Sequence, residues 1–162
     1  HFRRNQRCGI QWFGSEWRRS RYLRIRGSMS KFTDLHLELE IKAQKFREDP
    51  TDENGDKIIA EIVHLIENNA SILVDGIPSD VNPNVIVPSG YYANDGRFYI
   101  HIFSSKVAFD ASTATNPLLT HMHGLMEFML ENKQIGGFSL NHTKKDGSIL
   151  ITREDIDTFT KE

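Results

Sequence analysis

The sequence predicts an α+β domain, with helices packed on one mixed, mainly antiparallel sheet of about five strands. Two segments, 33–48 and 58–66, place apolar residues at helical spacing. Five short runs rich in β-branched and aromatic residues read as strands, at 71–74, 85–87, 98–103, 138–141 and 148–152. Between two of them, Asn94-Asp95-Gly96 is a hairpin turn. The resulting order, α-α-β-β-β-α-β-β-α, collects the helices into a layer against one sheet.

Each element has its own signal. Leu35, Leu37, Leu39 and Ile41 alternate with polar residues as a strand would, yet Phe32, Leu35, Leu39, Ala43 and Phe46 align near helical spacing. The Glu, Lys, Gln and Ala between them favour helix, Thr33 or Asp34 suits its start, and Asp49-Pro50 ends it. After a polar turn at 51–55, Ile58, Ile59, Ile62, Val63, Leu65 and Ile66 form an amphipathic stripe that closes at Asn68-Asn69. Asn116-Pro117 predicts a cap and first turn, with Leu118, Met122, Leu125, Met126 and Met129 as the buried stripe that follows. Gly136-Gly137 turns tightly into the next strand, and Thr152 caps a final helix whose first turn holds Glu154 and Asp155.

The modest overall charge of −2 conceals a sharp break. Residues 1–30 carry eight Arg, no Lys and one acid, a balance of +7. Residues 31–162 hold 12 bases against 21 acids, a balance of −9. Both Trp and the single Cys, Cys8, also fall in the first segment. A nucleic-acid arm would use such Arg with interleaved Trp12, Trp17 and Tyr22. A transit peptide is also Arg-rich and acid-poor. Gly27-Ser28 directly before Met29 reads instead as a cloning scar followed by a start codon. The preferred reading makes 1–28 a non-native leader and 29–162 a single domain.

That body has no cysteine, which excludes disulfides, CxxC redox chemistry and thiolate zinc sites within it. No apolar run approaches the roughly 18 residues of a membrane span, and no signal peptide follows Met29, so a soluble, cytoplasmic protein is expected. Its acidic field opposes nucleic acid and anionic membrane. There is no GxSxG elbow, no P-loop and no GxGxxG after a strand. No cofactor and no metal site are expected. His121 and His123, on the predicted helix, stand about 200° apart and cannot chelate one ion together.

Two histidines remain as candidates for chemistry. His101 alternates with Tyr99 and Phe103, opposite Phe98, Ile100 and Ile102, and reads as a ring packed among aromatics with one hydrogen-bond partner. His142 follows a central strand and could act as a general base beside Asp95 or Asp146. Ser104-Ser105 reads as the cap of a helix beginning near Lys106 rather than as a nucleophile. A protein-contact surface is predicted at Tyr91, Tyr92, Asp95 and Tyr99, around the hairpin turn, with Asp75, Asp80 and Asp110 adding negative charge.

Four stretches carry a family resemblance. They are Asp49-Pro50 with the strand Ala70-Ser71-Ile72-Leu73-Val74, the run from Asp95 to Ser105, Gly136-Gly137-Phe138-Ser139-Leu140-Asn141, and the run from Ile149 to Ile156. Together they resemble the SseB-type N-terminal domain, named from the bacterial "enhanced serine sensitivity" protein. The chain departs from that pattern at His142, where the family often has Pro. The resemblance implies an α+β fold of bacterial cytoplasmic proteins and brings no enzyme activity or catalytic residues with it. The function expected is a protein-interaction module without a catalytic role. The alternatives are an immunity-type protein masking a basic toxin, or a small hydrolase or ligand-binding enzyme using His101 and His142.

Overall fold

A computed structural model describes residues 36–79, 81–82 and 84–160. The Arg-rich leader, its junction at Met29 and the predicted caps Thr33 and Asp34 lie outside the described residues, as does Asp80. Two helices open the fold, α1 (Leu37–Glu48) and α2 (Asp52–Glu67). The ambiguous first segment is helical, burying Leu39 and Ala43. The second helix begins a turn earlier than its apolar stripe. Thr51 Oγ1 accepts the Asn54 amide, and Asp52 and Glu53 face the positive end of the dipole. Asn69, at φ 48°, turns the chain out of α2 into the sheet.

The sheet contains β1 (Ser71–Pro78), β2 (Ile86–Pro88), β3 (Gly90–Tyr92), β4 (Phe98–Phe103), β5 (Pro117–His121), β6 (Ile135–Thr143) and β7 (Gly147–Thr152). Its main path runs β2-β1-β4-β6-β7, with β3 paired to β4 and β5 paired to β1. Among the described residues only the β4–β6 pair is parallel. The fold is therefore α+β on a mixed, mostly antiparallel sheet. Short helices complete it: α3 (Lys106–Asp110), α4 (Met122–Glu131) and α5 (Arg153–Thr160). As the sequence predicts, Ser105 caps α3 by accepting the Ala108 amide, and Thr152 accepts the Asp155 amide in the first turn of α5. No helix among the described residues is long and apolar enough to cross a membrane.

Among the described residues seven strands stand where about five were expected. One added strand is β3, built on Tyr91 and Tyr92. The other is β5, where a helix start was expected. Asn116 does not cap a helix: its Nδ2 donates to the Gly76 carbonyl at 2.6 Å, and its own carbonyl accepts the Gly76 amide at 2.9 Å. Those bonds set 117–121 in register with β1, from Asp75↔Pro117 to Ser71↔His121. Tertiary pairing overrides the local preference, because Leu118 and Leu119 are buried equally well from a strand. The helix then starts at Met122, with Asn69 Oδ1 accepting the His123 amide at 3.0 Å.

Strand alternation gives the sheet two different faces. Ile100 and Ile102 of β4 share one face with Phe138 and Leu140 of β6 and with Ile149 and Ile151 of β7, all buried. Ile58 and Ile62 of α2, Leu125 of α4 and Ile156 of α5 belong to the same core. Tyr99, His101 and Phe103 point to the opposite face, where Phe109 of α3 meets Phe103 edge-on at 5.0 Å. That second face is covered less completely and carries the polar cluster described next.

Candidate functional site

His101 lies on β4 beside Ser139, its register partner on β6. Strict alternation would send His142 with Leu140 to the helix-covered face. A bulge prevents this: Leu140 pairs with Ile149 and Thr143 with Gly147, so β6 holds one residue more than β7 between the pairs. Asn141 takes the left-handed conformation at φ 50°, which Asn tolerates better than most residues. Its side chain is held at Ser104, accepting the amide and donating to Oγ, both at 2.9 Å. Ser104 and Ser105 hydroxyls in turn donate to Glu40 Oε1 of α1. Arg47, also on α1, donates to the carbonyls of Asn141 (2.8 Å), Asp146 (3.0 Å) and Gly147 (3.1 Å). The first helix thus clamps the bulge from both sides.

The result brings His142 within 5.0 Å of His101, ring centre to ring centre. A hydrogen-bonded chain joins them through two serines. His101 Nδ1 lies 3.1 Å from Ser139 Oγ, Ser139 donates to Ser148 Oγ at 2.7 Å, and Ser148 Oγ meets His142 Nδ1 at 2.5 Å. Because Ser139 uses its proton on Ser148, it accepts from His101 Nδ1–H, and Ser148 has its proton free for His142. One ring is a donor and the other an acceptor, which suits two neutral imidazoles. Burial and the neighbouring His142 push His101 down to about 4, against an opposing pull from Asp75. Burial, then the charge of Arg47, also lowers His142. Both rings are therefore neutral at pH 7.

The pair borders a cavity of about 220 Å³ where β1 and β4 diverge around Ser89, with Asp75 on its wall. Asp75 is buried and belongs to the frame, not to the contact surface expected of it. Its carboxylate accepts Ser89 Oγ–H at 2.8 Å and the amides of Asn116 (3.0 Å) and Thr115 (3.3 Å). His101 meets the expectation of a packed ring, 6.3 Å from Phe103 and bonded to one hydroxyl. The hydrogen-bond partner of His142 is Ser148 rather than Asp95 or Asp146. His121 Nδ1 lies 3.3 Å from Ser71 Oγ, while His123 Nε2 lies 2.8 Å from the Ile66 carbonyl, so the two serve different contacts.

The tyrosine surface divides. Tyr91 and Tyr92 are 37% and 53% exposed on β3, which pairs with β4 on one side. They point to opposite faces, Tyr91 against His142 at 5.6 Å and Tyr92 edge-on to Phe98 at 5.0 Å. Tyr99 is 1% exposed and cannot present its ring to a partner, contrary to its expected place on the surface. Gly136 and the Arg97 side chain cover it: a Cβ at Gly136 would lie 2.7 Å from the Tyr99 ring. The Tyr99 hydroxyl donates to Asp95 Oδ2 at 2.6 Å, and Arg97 bridges Asp95 (3.1 Å) to Glu154 of α5 (2.9 Å). The Tyr99 hydrogen bond, followed by the Arg97 amide, holds the Asp95 carboxyl below its usual range. Asp95 stays exposed and ionised at the hairpin tip.

Sequence reasoning found both histidines but not Ser139, Ser148 or Arg47. Alternation places Ser139 on the His101 face, the one available signal; nothing local marks Ser148 or the reach of Arg47. Neither a family model, nor a curated protein, nor a solved structure matches the chain.

Proposed function

We propose that the domain is a cytoplasmic bacterial protein-interaction module that meets its partner along the β3 edge, through Tyr91, Tyr92 and Asp95. The observation that carries this reading is the pair of consecutive exposed tyrosines on a three-residue edge strand. A partner laid against that edge meets one ring on each side of the sheet. Each ring is already oriented, one by His142 and one by Phe98, so little side-chain freedom is lost on contact. Tyrosine gives large amphipathic area at such interfaces. Asp95 and the acidic body, at −9 over residues 31–162, favour a basic partner, of which a toxin masked by an immunity protein is one form. The SseB-type resemblance, which comes with no reaction, agrees with a binding role.

Comparative capture tests it. The immobilised chain, its Tyr92→Ala variant and a Leu130→Ala variant are exposed to the same bacterial extract; Leu130 is also exposed but lies on α4. A protein retained by the wild type and by Leu130→Ala, but about tenfold less by Tyr92→Ala, supports the proposal. Equal retention by all three overturns it.

A further inference from the structure

The far edge of the sheet carries a second feature. Strand β7 ends the strand order, and its outer side pairs with no strand among the described residues. Alongside it runs a groove formed against the α1–α2 corner, in two chambers of about 300 and 450 Å³ that share Phe46, Pro50 and Ile149. Phe46, Pro50, Ile59 and Ile149 supply apolar contact within it. The rim is acidic, with Asp52, Asp56 and Asp155 around one chamber and Glu48 and Asp146 around the other. Arg47 is the one Lys or Arg among the described lining residues, and its guanidinium is engaged by three carbonyls. Even with the partial positive charge of the α2 N-terminus, the groove is strongly negative.

We infer that this edge is a second binding surface, independent of the tyrosine edge, that takes a basic extended segment of a partner protein as an added strand. An unpaired strand edge offers main-chain donors and acceptors to such a segment, and alternate side chains give selectivity. In the bound segment one set of side chains rests on Phe46, Pro50 and Ile149. Lys or Arg of the same segment, on stems long enough to reach past the edge, meets the acidic rim. Charge also excludes the simplest competitor: two copies joined edge to edge would bring their acidic rims together, at a cost in repulsion. The same acids guard the edge against self-pairing in the free protein.

The test uses the full chain, labelled for amide NMR, and three synthetic seven-residue peptides. The first alternates Val and Lys, the second is the same peptide N-methylated at alternate residues along one edge, and the third replaces Lys by Glu. The first peptide is expected to bind saturably and to shift the amides of 148–152. N-methylation and the Glu replacement should each weaken binding at least tenfold, because one removes backbone donors and the other reverses charge. Asp56→Lys with Asp146→Lys should weaken binding similarly, whereas Tyr92→Ala should leave it unchanged. Equal binding of the N-methylated peptide, shifts confined to other strands, or no binding at all overturns the inference. So does protection of the β7 edge in the free chain, whether by residues 1–30 or, if sedimentation shows a dimer, by a second copy.

Discussion

Asn141 decides where His142 points. Without the extra residue that its left-handed backbone admits, His142 would turn toward the helix-covered face and leave Ser148 bonded to Ser139 alone of the two. Asn141→Ala keeps neither the tolerated conformation nor the two bonds to Ser104. It is expected to cost about 2–3 kcal/mol. Asn141→Gly relieves the backbone and should cost roughly half as much. Denaturant unfolding of the two variants checks the pair; equal losses would mean that the backbone conformation is not what Asn141 supplies. His101 was legible from strand alternation and His142 from its place after a central strand, but the bulge was not, since no glycine or proline marks it. A second prediction concerns acid. Folded His101 takes up a proton only near pH 4, whereas the unfolded chain does so near 6.5. Between those values the unfolded state holds more protons, so stability must fall as pH falls, by at most about 3 kcal/mol from this group. Unfolding measured at pH 7, 5 and 4 should show a shallower decline for His101→Gln than for the wild type. Parallel declines would show that His101 is not the titrating group.

At the scale of elements, the caps at Ser105 and Thr152 were readable, whereas the outcome at Asn116, the place of the glycine pair and the strand partners were not. Gly136-Gly137 predicts a tight helix-to-strand return, but the return is made at 132–134, where the Ile135 amide donates to the Asn132 carbonyl, and both glycines lie inside β6, with Gly137 at φ 149°. A Cβ there would lie 1.9 Å from the Ile151 carbonyl oxygen, a backbone atom that cannot rotate aside. Gly137→Ala should therefore separate β6 from β7 and cost more than about 3 kcal/mol, seen as loss of cooperative thermal unfolding. Retention of wild-type melting would contradict the close approach. Pro117 is a related case. Asn-Pro before an apolar stripe is a good helix start, yet the same residues also fit a strand edge, and pairing with β1 decided between them. That decision depends on residues some 40 positions away, beyond any local window. Arg47 illustrates the same limit, because one guanidinium on α1 satisfies three carbonyls of the β6–β7 hairpin. Arg47→Ala should cost about 1–3 kcal/mol by leaving those carbonyls short of a partner. Hydrogen exchange should then accelerate at 141–147 before the rest of the sheet; uniform acceleration would deny the clamp its local role.

For the whole molecule, two faces of one sheet divide the tasks. The helix-covered face supplies the core, and the other carries the serine-linked histidines, with Tyr91 beside them on β3. Composition alone gave the acidic body and the absence of any catalytic motif. Position beside the hairpin turn gave Tyr91 and Tyr92 as exposed, while Tyr99 was misplaced because its burial depends on Gly136 of the neighbouring strand β6 and on the way the Arg97 side chain folds over it. The central claim is that the β3 edge binds a protein. If the −9 body draws in a basic partner, added salt should slow association more than it hastens dissociation. The most direct measurement is a binding titration of the captured partner with Tyr92→Ala, paired with calorimetric melting of the same variant. Affinity should fall by about 1–2 kcal/mol while stability changes by no more than about 1 kcal/mol, because the ring is half exposed and meets Phe98 edge-on. Unchanged affinity with a clearly lowered melting temperature would contradict the account and make Tyr92 a cover for the sheet edge.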